Sequence, residues 1–380
     1  MRFRVVIVLF LLLLITGGFA TYWFYFRTNE EGPLRLTPLK FADVPGWSEA
    51  DPAKALAAFR RSCVKLRAKA PDSPMGYAGT ARDWQKTCDA ADSAHNARAF
   101  FATNFTPYAI GGDGLVTGYY EPLLNGSRTR HGKYQTPVYG VPEGLVSVDL
   151  GAFRDEWKGE KIAGRVQDGR LLPLPTRAEI DARPPSQTPV LFWGDDREAV
   201  FFLHIQGSGR VWLDDGTILR VSYAGQNGHP YTPVGRILIK DYGLPREGMS
   251  MQVIRSWLKS HPKDADRVIE SDASFVFFST APVGDPKLGP VGTEGVPLTP
   301  RASVAIDNTI HPLGLPMFLA GDGFADLFIA QDTGGAIRGN ARADVFFGFG
   351  ANAETAAGGM KAHPRFYALL PKTVTPKLPP

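Results

Sequence analysis

The stretch Gln331–Gly350, QDTGGAIRGNARADVFFGFG, decides the reading of this chain. It carries two acids, Asp332 and Asp344, with three glycines and Arg338 between them. An apolar run, Phe324–Ala330, leads into it, and Val345-Phe346-Phe347 follows Asp344. The pattern predicts a strand, a tight turn at Gly334-Gly335, a loop and a second strand. A third acid, Asp307, ends another apolar run, Ala302–Ile306. Three aspartates at strand ends make a candidate catalytic centre.

Each acid has a plainer explanation to set beside that one. Asp332-Thr333-Gly334 has the form of half an aspartic-protease dyad, but that chemistry needs two carboxylates sharing a proton. The matching second motif is missing, since Asp307 is followed by Asn308 and Thr309. The protease is therefore the weaker alternative, and Asp332 and Asp307 read equally well as turn residues. Asp344 is harder to dismiss. It lies between Ala343 and Val345-Phe346-Phe347, where burial raises a carboxyl's pKa.

Working outward, 380 residues suggest two domains, at about 150 residues each. Hydrophobic residues at 44% and charged residues at 21% are those of a globular protein. The 41 glycines and 31 prolines, with many short apolar runs, favour a turn-rich, mainly β chain. The net charge of +4 is not gathered into a basic tract, which argues against nucleic acid as a partner.

At the N-terminus, Arg2 and Arg4 precede an apolar run from Val5 to Phe26. That run is long enough for a membrane anchor with its N-terminus in the cytoplasm. The competing reading is a signal peptide cleaved after Gly18-Phe19-Ala20. Both export the bulk of the chain, and residues 1–30 are left out of the fold. The two cysteines, Cys63 and Cys88, are too few for a zinc site. After export they are a candidate disulfide, and otherwise two small buried residues.

The periodicity predicts helices over Ala53–Ala70, Ala81–Ala91 and Asn96–Phe105, then strands over Leu115–Tyr120 and Gln135–Tyr139. Arg165–Pro185 reads as loop, and Pro189–Trp193 and Ala199–Gln206 as strands. Arg210–Val221 is a hairpin turning on Asp214-Asp215-Gly216. Ser250 caps a helix over Met249–His261. Strands follow at Ser274–Ser279, Ala302–Ile306, around Leu319, Phe324–Ala330, Ala343–Phe349 and Phe366–Leu370, with a loose tail over 371–380. The simplest architecture is α+β, mainly β. One domain is formed from 44–121 and 237–370, with a smaller β domain inserted at 122–236. The groove between them is the default ligand site.

Two further stretches carry polar groups suited to a ligand. Gln206-Gly207-Ser208-Gly209 ends an apolar segment, but it lacks the third glycine and the following helix of a dinucleotide site. Alone it reads as a tight turn, and His204 as a satisfied strand histidine. Ser222–Tyr231 is dense in amides and tyrosines, Tyr223 and Asn227 among them. Such residues bind sugars and also fill ordinary loops. No histidine pair has zinc-site spacing, so neither a metal nor a cofactor is expected.

Taken together, ordered segments carry a resemblance. They are Gly118-Tyr119-Tyr120-Glu121-Pro122, Gln206–Gly209, Ser222–His229 with Pro233–Arg236, Met249–Gln252, Ser274–Phe278, Pro297–Ala305 and Gln331–Gly350. Over about residues 44–370 the chain resembles the membrane-bound lytic murein transglycosylase A family. The resemblance implies a double-psi β-barrel domain with a smaller β-barrel domain inserted. It also implies cleavage of the β-1,4 bond between N-acetylmuramic acid and N-acetylglucosamine of peptidoglycan, leaving 1,6-anhydromuramyl ends. The family's three aspartates map onto Asp307, Asp332 and Asp344. The third is the catalytic acid, and the other two are supporting residues.

Substrate contacts are expected from Gln206, Ser208, Gly209, Tyr119, Tyr120, Tyr223, Asn227, Gly334 and Gly335. The implied setting is the periplasmic side of the envelope. The partners are peptidoglycan glycan strands, the membrane through the N-terminal helix, and cell-wall synthesis complexes as candidates, with the chain a monomer. The sequence departs from lipoprotein relatives in having no cysteine near residue 20, and it places Glu121 beside the expected groove. The alternatives are a non-catalytic peptidoglycan-binding module and a true muramidase.

Overall fold

A computed structural model of the chain describes residues 33–157, 160–321 and 323–378. The apolar run Val5–Phe26 lies outside the described residues.

The described residues open with β1 (Leu36–Pro38) and three helices, α1 (Ala53–Ala68), α2 (Ala81–Asp92) and α3 (Ala97–Asn104). Leu56, Phe59, Cys63 and Leu66 recur at helical spacing and are all buried. Thr80 and Asp83 form a reciprocal capping box at the start of α2. The Asn96 side chain caps α3 by accepting from Ala99 N. Phe59, Trp84, Phe100, Phe101 and Phe105 pack edge-on and tilted against one another, and the Cys63–Cys88 disulfide ties α1 to α2.

Two strands follow, β2 (Phe105–Ile110) and β3 (Leu115–Glu121), and the chain then enters a second unit. Its strands are β4 (Leu123–Ser127), β5 (Thr136–Tyr139), β6 (Leu145–Asp149), β7 (Lys161–Gln167), β8 (Arg170–Leu172), β9 (Val190–Gly194), β10 (Ser208–Leu213), β11 (Ile218–Gln226) and β12 (Val276–Pro282). Its helices are α4 (Arg177–Ala182), α5 (Arg197–Gln206), α6 (Val234–Tyr242), α7 (Met251–Ser260) and α8 (Pro262–Glu270). The chain returns through β13 (Ser303–Ile306), β14 (Pro316–Gly321), β15 (Phe324–Asp332), β16 (Arg342–Phe349), α9 (Gly350–Gly359), β17 (Lys361–Ala362) and β18 (Arg365–Pro371).

The first and last parts share a nine-stranded sheet, ordered β1-β2-β18-β14-β15-β13-β16-β3-β17. The inserted unit has a six-stranded sheet, β12-β11-β10-β4-β9-β5, and a three-stranded one, β6-β7-β8. The fold is mixed α+β with sheet dominating. No closed barrel is found among the described residues.

Several expectations are corrected. Ala199–Gln206 is helical, not a strand. Val200, Phe201, Phe202, Leu203 and His204 are all buried, so the helix is apolar nearly all round and its period is hidden. Asp196 caps it, and Gly207 ends it in the left-handed conformation at φ 75°. The expected loop Arg165–Pro185 contains the end of β7, β8 and α4. The insert runs past residue 236, because β12 completes its sheet against β11 and α6–α8 bury Val234, Leu238, Leu258 and Val268 against Phe201. The tail is not loose through Val374, which is 6% exposed in the main core. There Lys372 N donates to Asn104 O at 3.0 Å.

Candidate active site

Register places the acids. Asp344 on β16 lies opposite Ala305 of β13 on one side and Thr117 of β3 on the other. Asp332, the last residue of β15, pairs with the same Ala305 across a bulge. Asp332, Ala305, Asp344 and Thr117 thus form a row across four neighbouring strands, and directly opposite side chains share a face. Tyr119, two residues beyond Thr117, shares that face, and its hydroxyl donates to Asp332 Oδ2 at 2.8 Å.

The two carboxyls have unequal surroundings. Asp332 receives Tyr119 Oη on one oxygen, and on the other both the N–H and the hydroxyl of Thr293 at 3.0 and 3.1 Å. Asp344 receives the Thr117 hydroxyl at 2.7 Å. Arg342 reaches it only indirectly, donating to Thr117 Oγ1 at 2.8 Å. Burial pushes both acids above the usual carboxylate range. Thr117 and Arg342 oppose this at Asp344 while the charge of Asp332 adds to it, and at Asp332 the bonds from Tyr119 and Thr293 oppose it. Hydrogen bonds to the ionised form favour it. Asp332, with more donors, is the better place for the negative charge, and Asp344 the better place for a proton.

Asp307 is of a different kind. Burial alone would raise it, but the Thr309 hydroxyl and N–H, the Gly339 N–H and Arg338 outweigh that, and its pKa is lowered. It is a carboxylate that fastens the loop between Asp332 and Asp344.

The other expected contacts are scattered. Tyr119 belongs to the site, but Tyr120 points to the opposite face of β3 and packs under α9 with Ala353 and Ala357. Asn227 is fully buried. Its amide donates to Pro175 O and Ala273 O and accepts from Phe275 N, which leaves it as scaffold. Gln206 accepts from Tyr120 N at 3.2 Å and so braces β3 from behind. Ser208 is buried at the start of β10. A Cβ at Gly209 would meet Leu203 Cδ1 at 2.7 Å and Pro122 O at 2.9 Å, so close packing explains that glycine. Tyr223 is 53% exposed on β11. Gly334 accepts from Ile337 N in the turn, and Gly335 faces open space. His204 is a satisfied helix residue, accepting from Val276 N at 3.1 Å.

Glu121 is not a groove acid. It is fully buried, with Arg210 at 3.2 Å and Arg220 at 3.3 Å. Those arginines also donate to the backbone oxygens of Pro286, Leu288 and Gly289, so the cluster ties the insert to the β12–β13 connection. Thr117, Arg342 and Thr293 are site residues that sequence reasoning missed. Thr117 had a signal, since it is two positions from Tyr119 on a strand. Thr293 had none, because its contact with Asp332 spans 39 residues.

A family model described as the MltA specific insert domain matches residues 115–279, and one described as the 3D domain matches residues 302–370. The crystal structure of a membrane-bound lytic murein transglycosylase from Agrobacterium tumefaciens is similar at a TM-score of 0.78 with 34% sequence identity, covering 89% of this chain and 98% of that one. The chain belongs to the membrane-bound lytic murein transglycosylase A family. The curated Escherichia coli (strain K12) member is 34% identical over 274 residues, 68% of this chain and 66% of that relative's length. An E. coli MltA structure with bound chitohexaose is similar at a TM-score of 0.67 and 26% identity, covering 90% of this chain and 96% of the other. The insert model ends at Ser279, within β12, where the second sheet also closes.

Proposed function

We propose that this chain is a peptidoglycan lytic transglycosylase that cleaves the β-1,4 bond between N-acetylmuramic acid and N-acetylglucosamine, with Asp344 as its single acid and then base. The observation that carries the reading is the inequality of the two buried carboxyls: several donors on Asp332, and a lone threonine hydroxyl on Asp344. Pairs of acids whose surroundings differ in this way divide the protonated and ionised roles between them.

Protonated Asp344 donates to the glycosidic oxygen as the bond to the muramyl C1 breaks. The resulting carboxylate takes the proton from the C6 hydroxyl of the same sugar, whose oxygen bonds to C1 and closes the 1,6-anhydro ring. Ordinary glycosidases use two carboxylates, one to protonate the leaving group and one to activate water or attack C1. Here the nucleophile is tethered to the reacting centre, and effective molarities of about 10⁵ M or more stand in for the second carboxylate. Ionised Asp332 stabilises the positive charge that develops at C1 and keeps the proton on Asp344. Asp307 holds the intervening loop.

The row of strands from β15 to β3 belongs to the double-psi β-barrel expected of the family, and the groove runs between it and the insert. Tyr223, exposed on β11, marks the insert's side of that groove, with Gly334 and Gly335 at its edge, while Gln206, Ser208 and Gly209 support β3 and β10 from within. Members named membrane-bound make the enzyme envelope-associated. Val5–Phe26 is its anchor, and the described residues lie on the periplasmic side, acting on glycan strands such as those the chitohexaose of the E. coli structure imitates. Digestion of purified sacculi followed by mass spectrometry tests the reading. Anhydromuramyl ends are the expected product. Reducing ends would replace it with a muramidase, and sacculus binding without cleavage with a binding module.

A further inference from the structure

The connection from β12 to β13 leaves the inserted sheet and runs back to the main sheet. Thr293 and Glu294 lie in it side by side, and they grip β15 in different ways. Thr293 gives Asp332 Oδ1 both of its donors, and its hydroxyl also meets that of Thr333 at 2.8 Å. Glu294 N donates to Gln331 O at 3.0 Å, and its carboxyl accepts from Ser62 Oγ of α1 at 2.6 Å.

Ser62 in turn accepts from Gln331 Nε2 at 2.8 Å, and that amide also donates to Ala58 O. Ser303 Oγ donates to Gln331 Oε1, and Thr299 N donates to Ser303 Oγ at 2.8 Å. Glu294 therefore closes a buried polar network that joins α1, β13 and β15 to a loop with no regular structure of its own. A Cβ at Gly314 would come within 2.9 Å of Glu294 Oε1, so the backbone is packed tightly onto the carboxyl. The mechanism above makes no use of this acid.

We propose that Glu294 is a positioning residue: by anchoring its loop to Ser62 and Gln331 it seats Thr293 on Asp332, and so sets the field in which Asp344 carries its proton. The proposal rests on the transglycosylase reading, since it assigns Glu294 a part in that reaction. The charged groups that face Glu294 are Lys65 of α1 and Lys69, just past its end; from β15 it meets the uncharged Gln331, and from the β13–β14 connection the backbone of Gly314. Burial outweighs Ser62, Gln331 and the two lysines and lifts its carboxyl to about 7. A raised carboxyl supports the fold in its protonated form, and that support is lost as pH rises through the folded value. The stability that Glu294 contributes is therefore full below the ordinary glutamate range and is lost progressively as pH rises from there to about 7.

The test uses the full chain with Glu294→Gln, which keeps an acceptor for Ser62 and cannot ionise, and Glu294→Ala, which removes the anchor. The melting temperature is followed from acid to alkaline pH, together with the pH profile of sacculus cleavage. The Glu294→Gln chain is expected to gain on the wild type as pH rises from the ordinary glutamate range to about 7, and to keep that gain above it. Glu294→Ala should move the acid limb of the profile up by about one pH unit, the effect of losing one hydrogen bond to the charged Asp332, and Glu294→Gln should restore it. A melting difference that is the same at every pH, or an unmoved acid limb in Glu294→Ala, overturns the proposal. The melting arm needs no turnover. Absence of anhydro ends from the wild type would sink the transglycosylase reading, whereas a flat melting difference would sink this one alone.

Discussion

Asp332→Asn removes one negative charge from beside Asp344 and leaves an oxygen to accept part of its hydrogen bonds. The two residues are separated by β13 alone, which is two strand spacings, about 10 Å. At an effective dielectric constant of about 20, charges that far apart interact by about 1.7 kcal/mol, equivalent to about 1.2 pKa units. The sign follows from which form the charge favours. Ionised Asp332 disfavours ionisation of Asp344, so its removal lowers the pKa of Asp344. The reaction requires the protonated acid, so the basic limb of kcat/KM against pH marks its loss. That limb is predicted to move down by about one pH unit in Asp332→Asn. The assay is the release of soluble muropeptides from sacculi at a series of pH values and subsaturating substrate. A basic limb that stays in place, or moves up, would refute the claim that Asp332 keeps the proton on Asp344.

Other outcomes follow from the same contacts. Thr117→Val takes away the donor on Asp344 Oδ1, so the basic limb should move up by about one unit, opposite in sign to Asp332→Asn, in the same assay. Glu121→Ala leaves the buried Arg210 and the partly buried Arg220 without their carboxylate; equilibrium unfolding should show a loss of about 3–5 kcal/mol, while the chemical nature of the cleaved ends stays that of the wild type. Replacing Cys63 and Cys88 together by Ala opens a loop with a separation of 25 residues. Denaturant unfolding should show a loss of about 3.5 kcal/mol on the chain-entropy estimate.

Local signals carried the parts of the molecule that rest on short-range physics. The apolar faces of α1 and α2, the Asp-Gly hairpin between β10 and β11, and the Ser250 cap on α7 were all legible. What failed depended on burial or on distant partners. α5 is surrounded by protein, so it presents no polar face from which to read a helical period. α9, Gly350–Gly359, is rich in glycine and alanine and gives no apolar stripe. The insert's boundary was misplaced because β12 joins a sheet whose other strands precede it by 50 residues or more.

At the site, the three aspartates were visible from their apolar flanks, but their ranking depends on donors from elsewhere in the chain, Thr117, Tyr119 and Thr293. The strand's alternation separates Tyr119 from Tyr120, and it is legible in the sequence. The burial of Asn227 within a network of backbone partners was not.

The central claim is that Asp344 alone drives attack by the sugar's own C6 hydroxyl. Digestion of sacculi in heavy-oxygen water, by the wild type and by Asp344→Asn, tests it most directly. The wild type should yield anhydromuramyl ends without solvent oxygen, and Asp344→Asn should yield none while still binding sacculi. Solvent oxygen at the muramyl C1, or undiminished anhydro products from Asp344→Asn, would contradict it.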